Sequence, residues 1–121
     1  MITLVCYPQC STCRKAQKWL EEHRIPHQLR DIKADNPSFE ELSLWQQKSG
    51  LQPKRFFNTS GLLYRSMGLK EKLPGMTEAE MLRLLSTDGM LVKRPILVGD
   101  TFVLVGFKEK EWDERLNSES L

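Results

Sequence analysis

The stretch Ile2-Thr3-Leu4-Val5-Cys6-Tyr7-Pro8-Gln9-Cys10-Ser11-Thr12-Cys13 decides how the rest of the chain is read. Ile2 to Tyr7 is β-branched and aromatic, the composition of a buried strand, and Pro8 stops it. A helix then opens at Cys10 or Ser11 and runs to about His23. Ala16, Trp19, Leu20 and His23 recur at the helical spacing, while Arg14, Lys15, Lys18, Glu21 and Glu22 fall mainly elsewhere. Pro26 ends this unit, and His27 to Ile32 reads as a second short strand. Strand, helix and strand within about thirty residues make a βαβ unit with a parallel strand pair.

Outward from that unit the pattern changes. Ser38 and Glu41 fit a capping box, opening a helix to about Lys48 that Gly50 ends. Lys54 to Leu73 carries scattered aromatics and glycines and reads as short helices. Thr77 with Glu80 caps another helix, with Met81, Leu84 and Leu85 on its apolar face, closed by Asp88-Gly89. Strands return in the last third. Pro95 to Val98 is one, Gly99-Asp100 is a hairpin turn signal, and Thr101 to Val105 comes back antiparallel. Gly106 breaks that strand, Glu109 to Leu116 is a closing helix, and Asn117 to Leu121 reads as a loose tail. The expected order is β-α-β, a helical insert over about 36–90, then β-β-α, all in one domain spanning 1–121. The sheet-bearing core then covers 1–33 and 91–116.

The chain has 121 residues, 40% of them apolar and 28% charged, which suits one globular domain. Eighteen basic and sixteen acidic side chains leave a net charge of +2, dispersed rather than striped, so direct nucleic-acid binding is not expected. No run approaches the ~20 apolar residues of a membrane span. The N-terminus lacks the pattern of a secretory signal, so a cytoplasmic location is expected; the chain is also expected to be a monomer.

All three cysteines lie within the first thirteen residues. Cys10 and Cys13 form a C-x-x-C motif at the strand-to-helix junction, the placement of a redox dithiol in a cytosolic chain. A thiolate at a helix N-terminus faces unpaired N–H groups and the positive end of the macrodipole, which favour the ionised form. Arg14 and Lys15 add positive charge nearby. Cys10, at the cap, is the exposed nucleophile. Cys13, one turn in and in register with Ala16 and Leu20, faces inward and resolves the mixed disulfide. A zinc site is the rival reading, because Cys10, Cys13, His23 and His27 resemble a finger pattern. Its central spacing is short, and the two histidines straddle Pro26. Plain core thiols are the third reading, and for mid-strand Cys6 a structural role is expected. Arg94-Pro95 has two readings: a simple strand start beside a solvated arginine, or a cis peptide near the dithiol with Arg94 as an anion partner.

Cys10-Ser11-Thr12-Cys13-Arg14-Lys15-Ala16, then Arg94-Pro95-Ile96, then Val105-Gly106-Phe107, resembles the family of glutaredoxin-linked arsenate reductases and Spx-type redox regulators of low-GC Gram-positive bacteria. The likeness covers roughly residues 2–116. Lys54 to Gly61 and Asp88 to Pro95 resemble a branch of small proteins within that family. The resemblance implies a thioredoxin-like fold with an inserted helical subdomain, a cis Pro95, and Arg94 beside Cys10. It implies thiol–disulfide chemistry with no bound cofactor or metal, recharged by glutathione or the thioredoxin system. The expected partner is a thiol-containing protein or a small-molecule oxidant. Two of the three arginines that hold the oxyanion in arsenate reductases are replaced, by Asn58 and Phe107. At about 1.5–3 kcal/mol per charge-assisted bond, this argues against true arsenate reduction. The Spx likeness implies instead a redox regulator acting through the RNA polymerase α subunit.

Overall fold

The computed structural model describes residues 1–119. Strand β1 (Ile2–Cys6) leads into helix α1 (Ser11–Glu22) and strand β2 (His27–Asp31). Helices α2 (Phe39–Ser49), α3 (Leu62–Ser66), α4 (Leu69–Lys72) and α5 (Glu78–Leu85) follow, with one 3-10 turn between α2 and α3 and another between α4 and α5. Strands β3 (Ile96–Val98) and β4 (Val103–Val105) and helix α6 (Glu109–Glu119) close the chain. The sheet order is β2-β1-β3-β4, with β1 parallel to β2 and antiparallel to β3. This is the α/β, thioredoxin-like order with a helical insertion.

Alternation along β1 sorts two cores onto opposite faces of the sheet. Leu4 and Cys6 face α1 and α6, joining Cys13, Ala16, Trp19, Leu20, Trp112 and Leu116. Val5 faces the inserted helices, joining Leu42, Trp45, Phe56, Leu82, Leu85 and Ile96. The insertion is thus the layer that covers one sheet face. A sheet this small needs both faces covered to exclude water from its central strand.

Ser38 accepts from the N–H of Glu41 and Thr77 from that of Glu80, and both capping boxes are complete. Gly50 ends α2 in the left-handed conformation, at φ +71°. Arg30 of β2 ties α2 to the sheet through a forked pair with Glu41, with Nη2 to Oε1 at 2.9 Å.

Two boundaries differ from the sequence expectations. The hairpin loop centres on Asp100-Thr101, because the Gly99 N–H bonds the Phe102 carbonyl at 2.9 Å, and β4 starts only at Val103. Gly99 serves the Phe102 ring, which lies where a Cβ would sit, 2.3 Å from its nearest atom. Helix α6 continues through Glu119, so the tail expected from Asn117 is helical as far as described; Ser120 and Leu121 lie outside the described residues. In α5 the apolar face is as expected, with Leu85 buried and Met81 and Leu84 packed half-buried against the same core, and Leu82 is buried as well. Among the described residues, no helix is long and apolar enough to cross a membrane.

Candidate functional site

Cys10 is the N-cap of α1, with extended backbone at φ −84° and ψ 122°. Its N–H bonds the Tyr7 carbonyl at 2.9 Å, and its carbonyl accepts the first helical bond from Arg14 at 3.1 Å. The thiol is half-buried and makes no cap hydrogen bond. It opens on a cavity of about 360 Å³ lined also by Thr12, Asn58, Lys93, Arg94 and Phe107.

Cys13 is buried one turn further along. The amide that reaches a sulfur at this junction is that of Tyr7, which donates to Cys13 Sγ at 3.4 Å. A thiol hydrogen bond from Cys6 is the largest influence holding Cys13 down, to about 6. Burial opposes it, while the Tyr7 amide, the Cys10 thiol and the charge of Arg94 add to it. Cys6, as the donor in a buried position, is pushed well above the usual thiol range. All three cysteines are free thiols. Cys6 is core, as expected, yet it also serves the dithiol. That role was invisible in the sequence, because only the fold turns the β1 C-terminus onto α1.

Arg94 enters from the segment before β3, and the Arg94–Pro95 peptide is cis. Its guanidinium lies over the Tyr7 ring at 5.3 Å, and Nη1 is buried without a hydrogen-bond partner. Asn58 arrives from the insertion. Its N–H bonds the Leu91 carbonyl at 2.8 Å, and Lys93 N–H bonds the Phe56 carbonyl at 2.8 Å. These bonds zip the insertion to the chain entering β3. The Asn58 amide lies against Gly61, 2.8 Å from where a Cβ would stand. Gly106, at φ +82°, donates to the Pro95 carbonyl at 2.8 Å and accepts from Trp112 Nε1 at 3.1 Å. That turn sets Phe107 edge-on to Trp112 at the cavity wall.

The fold therefore brings Cys10, Cys13, Arg94, Pro95 and Asn58 to one place. Arg14 is exposed on α1 and is not among the side chains lining the cavity. His23 stacks on Trp19 at 3.9 Å, and His27 Nδ1 bonds the Ile25 carbonyl at 2.8 Å. Among the described residues, no group of three or more His, Cys, Asp or Glu side chains could hold a metal ion. Lys93, Lys108 and Thr12 are cavity residues that the sequence did not single out. Flanking a motif in sequence is the only signal they carried.

A family model described as the ArsC family matches residues 6–115. The chain belongs to the ArsC family. Within it, this member is 52% identical over 113 residues to the Bacillus subtilis protein YusI, covering 93% of this chain and 96% of that protein. It is 30% identical over 111 residues to the global transcriptional regulator Spx of Enterococcus faecalis, covering 92% and 83% respectively. The crystal structure of an ArsC-family-related protein from Bacteroides fragilis superposes with a TM-score of 0.92. It shares 53% identity and covers 93% of this chain and 95% of that one.

Proposed function

We propose that this ArsC-family chain is a cytosolic thiol–disulfide oxidoreductase in which Cys10 attacks and Cys13 resolves. The observation that carries this reading is the pairing of two sulfurs with opposite surroundings. Cys10 opens on the cavity, while Cys13 is buried and held down to about 6. The Cys10 thiol is hydrogen-bonded towards the Cys13 sulfur, so a proton can pass between the two.

The chemistry balances as follows. When a disulfide R–S–S–R′ meets Cys10, its proton passes to Cys13 and the Cys10 thiolate attacks one sulfur. The S–S bond breaks, R′–S⁻ leaves and takes the proton from Cys13. The Cys13 thiolate then attacks Cys10, releasing R–S⁻ and leaving a Cys10–Cys13 disulfide. The substrate disulfide is reduced, and the dithiol is oxidised by two electrons. Glutathione or the thioredoxin system returns it to the dithiol. Arg94 stabilises the thiolate and anionic adducts, and Asn58 offers a neutral hydrogen-bonding amide to the same space. Arg14 contributes only the general positive potential of the α1 surface.

Turnover of a disulfide substrate with glutathione or thioredoxin as reductant, compared with Cys10→Ser, tests the reading. Activity is expected in the native chain and absent in the variant. Equal rates would refute it.

A second reading rests on the 30% identity with Spx over 92% of the chain. In it, the same dithiol switches a contact with the RNA polymerase α subunit. Capture of purified α subunit by the reduced or the oxidised chain alone would favour it. No capture in either state removes it.

A further inference from the structure

Beside the Cys10 cavity lies a second, larger one of about 550 Å³, formed where α3 faces the turn before β3. Leu62, Leu63 and Met90 give it an apolar floor, and Leu62 is 81% exposed. The two cavities are continuous in their walls: Asn58, Ser60 and Arg94 line both. Arg94 stands at the divide with its unpartnered buried Nη1. On the Cys10 side the lining cations are Lys93, Arg94 and Lys108, and among the described residues no carboxylate lines either cavity.

This juxtaposition has a direction. The cavity that holds the nucleophile is cationic and hydroxyl-rich, and the one beyond Arg94 is apolar. A small symmetrical disulfide would leave the Leu62 floor open to water. A polypeptide cysteine with an acidic neighbour on one side and an apolar neighbour on the other matches both halves at once. We propose that the oxidised substrate is a polypeptide cysteine of this kind. Its apolar neighbour seats on Leu62, Leu63 and Met90, and its carboxylate meets Lys93, Arg94 and Lys108. The proposal rests on the oxidoreductase reading and adds the class of substrate to it.

The test uses hexapeptides whose single cysteine is a mixed disulfide with 2-thio-5-nitrobenzoate. Cys10 thiolate attacks the peptide sulfur, the S–S bond breaks, and the coloured thiolate leaves. Peptides carry Leu and Glu on the two sides of cysteine, in both orders, or Ala and Gln in their place. The native chain is expected to favour one Leu/Glu order over Ala/Gln by about tenfold in kcat/KM, the preference that burying one such side chain supports. Leu62→Ser, at a position 81% exposed, is expected to abolish the Leu preference. Lys93→Gln with Lys108→Gln is expected to abolish the Glu preference. Equal rates on all peptides would overturn the proposal and leave the oxidoreductase reading standing. So would a Leu preference that survives Leu62→Ser. No release from any peptide, nor from the small neutral 2-hydroxyethyl disulfide, would overturn both.

Discussion

The main-chain N–H of Tyr7 points at the sulfur of Cys13 across 3.4 Å, so the last residue before the turn serves the buried thiol of the helix behind it. Cys6, one residue earlier and facing the same core, is the largest influence holding the Cys13 thiol down. The end of β1 is thereby a cradle for a thiolate.

Removing the Cys6 thiol tests that cradle. In Cys6→Ala the largest influence holding Cys13 down is gone. Its titration, followed by ultraviolet thiolate absorbance, should move from about 6 towards the ordinary value of about 8.5. The control for the absorbance is Cys13→Ser, which should lack that transition. An unchanged midpoint in Cys6→Ala would mean that Cys6 is only core.

Asn58 and Phe107 both line the Cys10 cavity, at the positions where the resemblance to arsenate reductases implies arginine. Asn58→Arg with Phe107→Arg should raise arsenate affinity roughly tenfold or more, and Asn58→Arg alone part of the way, since each supplies a charge-assisted bond. Calorimetric titration with arsenate measures both. Equal affinity in the native and doubly substituted chains would show that the missing cations do not limit oxyanion binding.

Glu41 caps Ser38 and pairs with Arg30, which holds its carboxyl down to about 2. Its folded-state value lies below the unfolded one of about 4.3, so the stabilisation is complete above that pH. It is lost as the pH falls towards 2. In Glu41→Gln, stability near neutral pH should drop by at most about 1 kcal/mol, because the pair is partly solvated. The acid limb of the unfolding midpoint between about pH 5 and 2 should flatten. A native-like acid limb in the variant would place the acid sensitivity elsewhere.

Gly89 shows how tightly the turn before β3 is drawn to the end of β2. A Cβ there would stand 1.8 Å from the Ile32 carbonyl oxygen, a backbone atom that cannot swing aside. Gly89→Ala should cost at least about 1–3 kcal/mol, measurable as a lower urea midpoint at unchanged slope. A loss under about 0.5 kcal/mol, the range of ordinary surface substitutions, would mean the two segments separate easily.

Much of this arrangement was legible in residue order. The strand rich in β-branched residues, Pro8, and the helical spacing of Ala16, Trp19 and Leu20 fix β1 and α1. Ser38 with Glu41 and Thr77 with Glu80 mark two helix starts, because a capping box is a local interaction. The placement of Asn58 was expected only through the family resemblance, since it depends on main-chain bonds to Leu91 and from Lys93 to Phe56, more than thirty residues apart. The service of Cys6 to Cys13 was not legible, since it arises only when β1 packs on α1. Arg14 went the other way: adjacent to the motif in sequence, it is exposed on α1 and does not line the cavity that the motif serves. The hairpin was misplaced by one residue because Gly99 makes room for Phe102 rather than supplying a turn conformation.

The most direct measurement is the mass and thiol count of the chain after exposure to oxidised glutathione at neutral pH. A chain that loses two hydrogens and two alkylatable thiols, with a single bond mapped between Cys10 and Cys13 and Cys6 still free, is the expected product. A stable glutathione adduct on Cys10 beside an alkylatable Cys13, or no reaction at Cys10, would contradict a resolving dithiol.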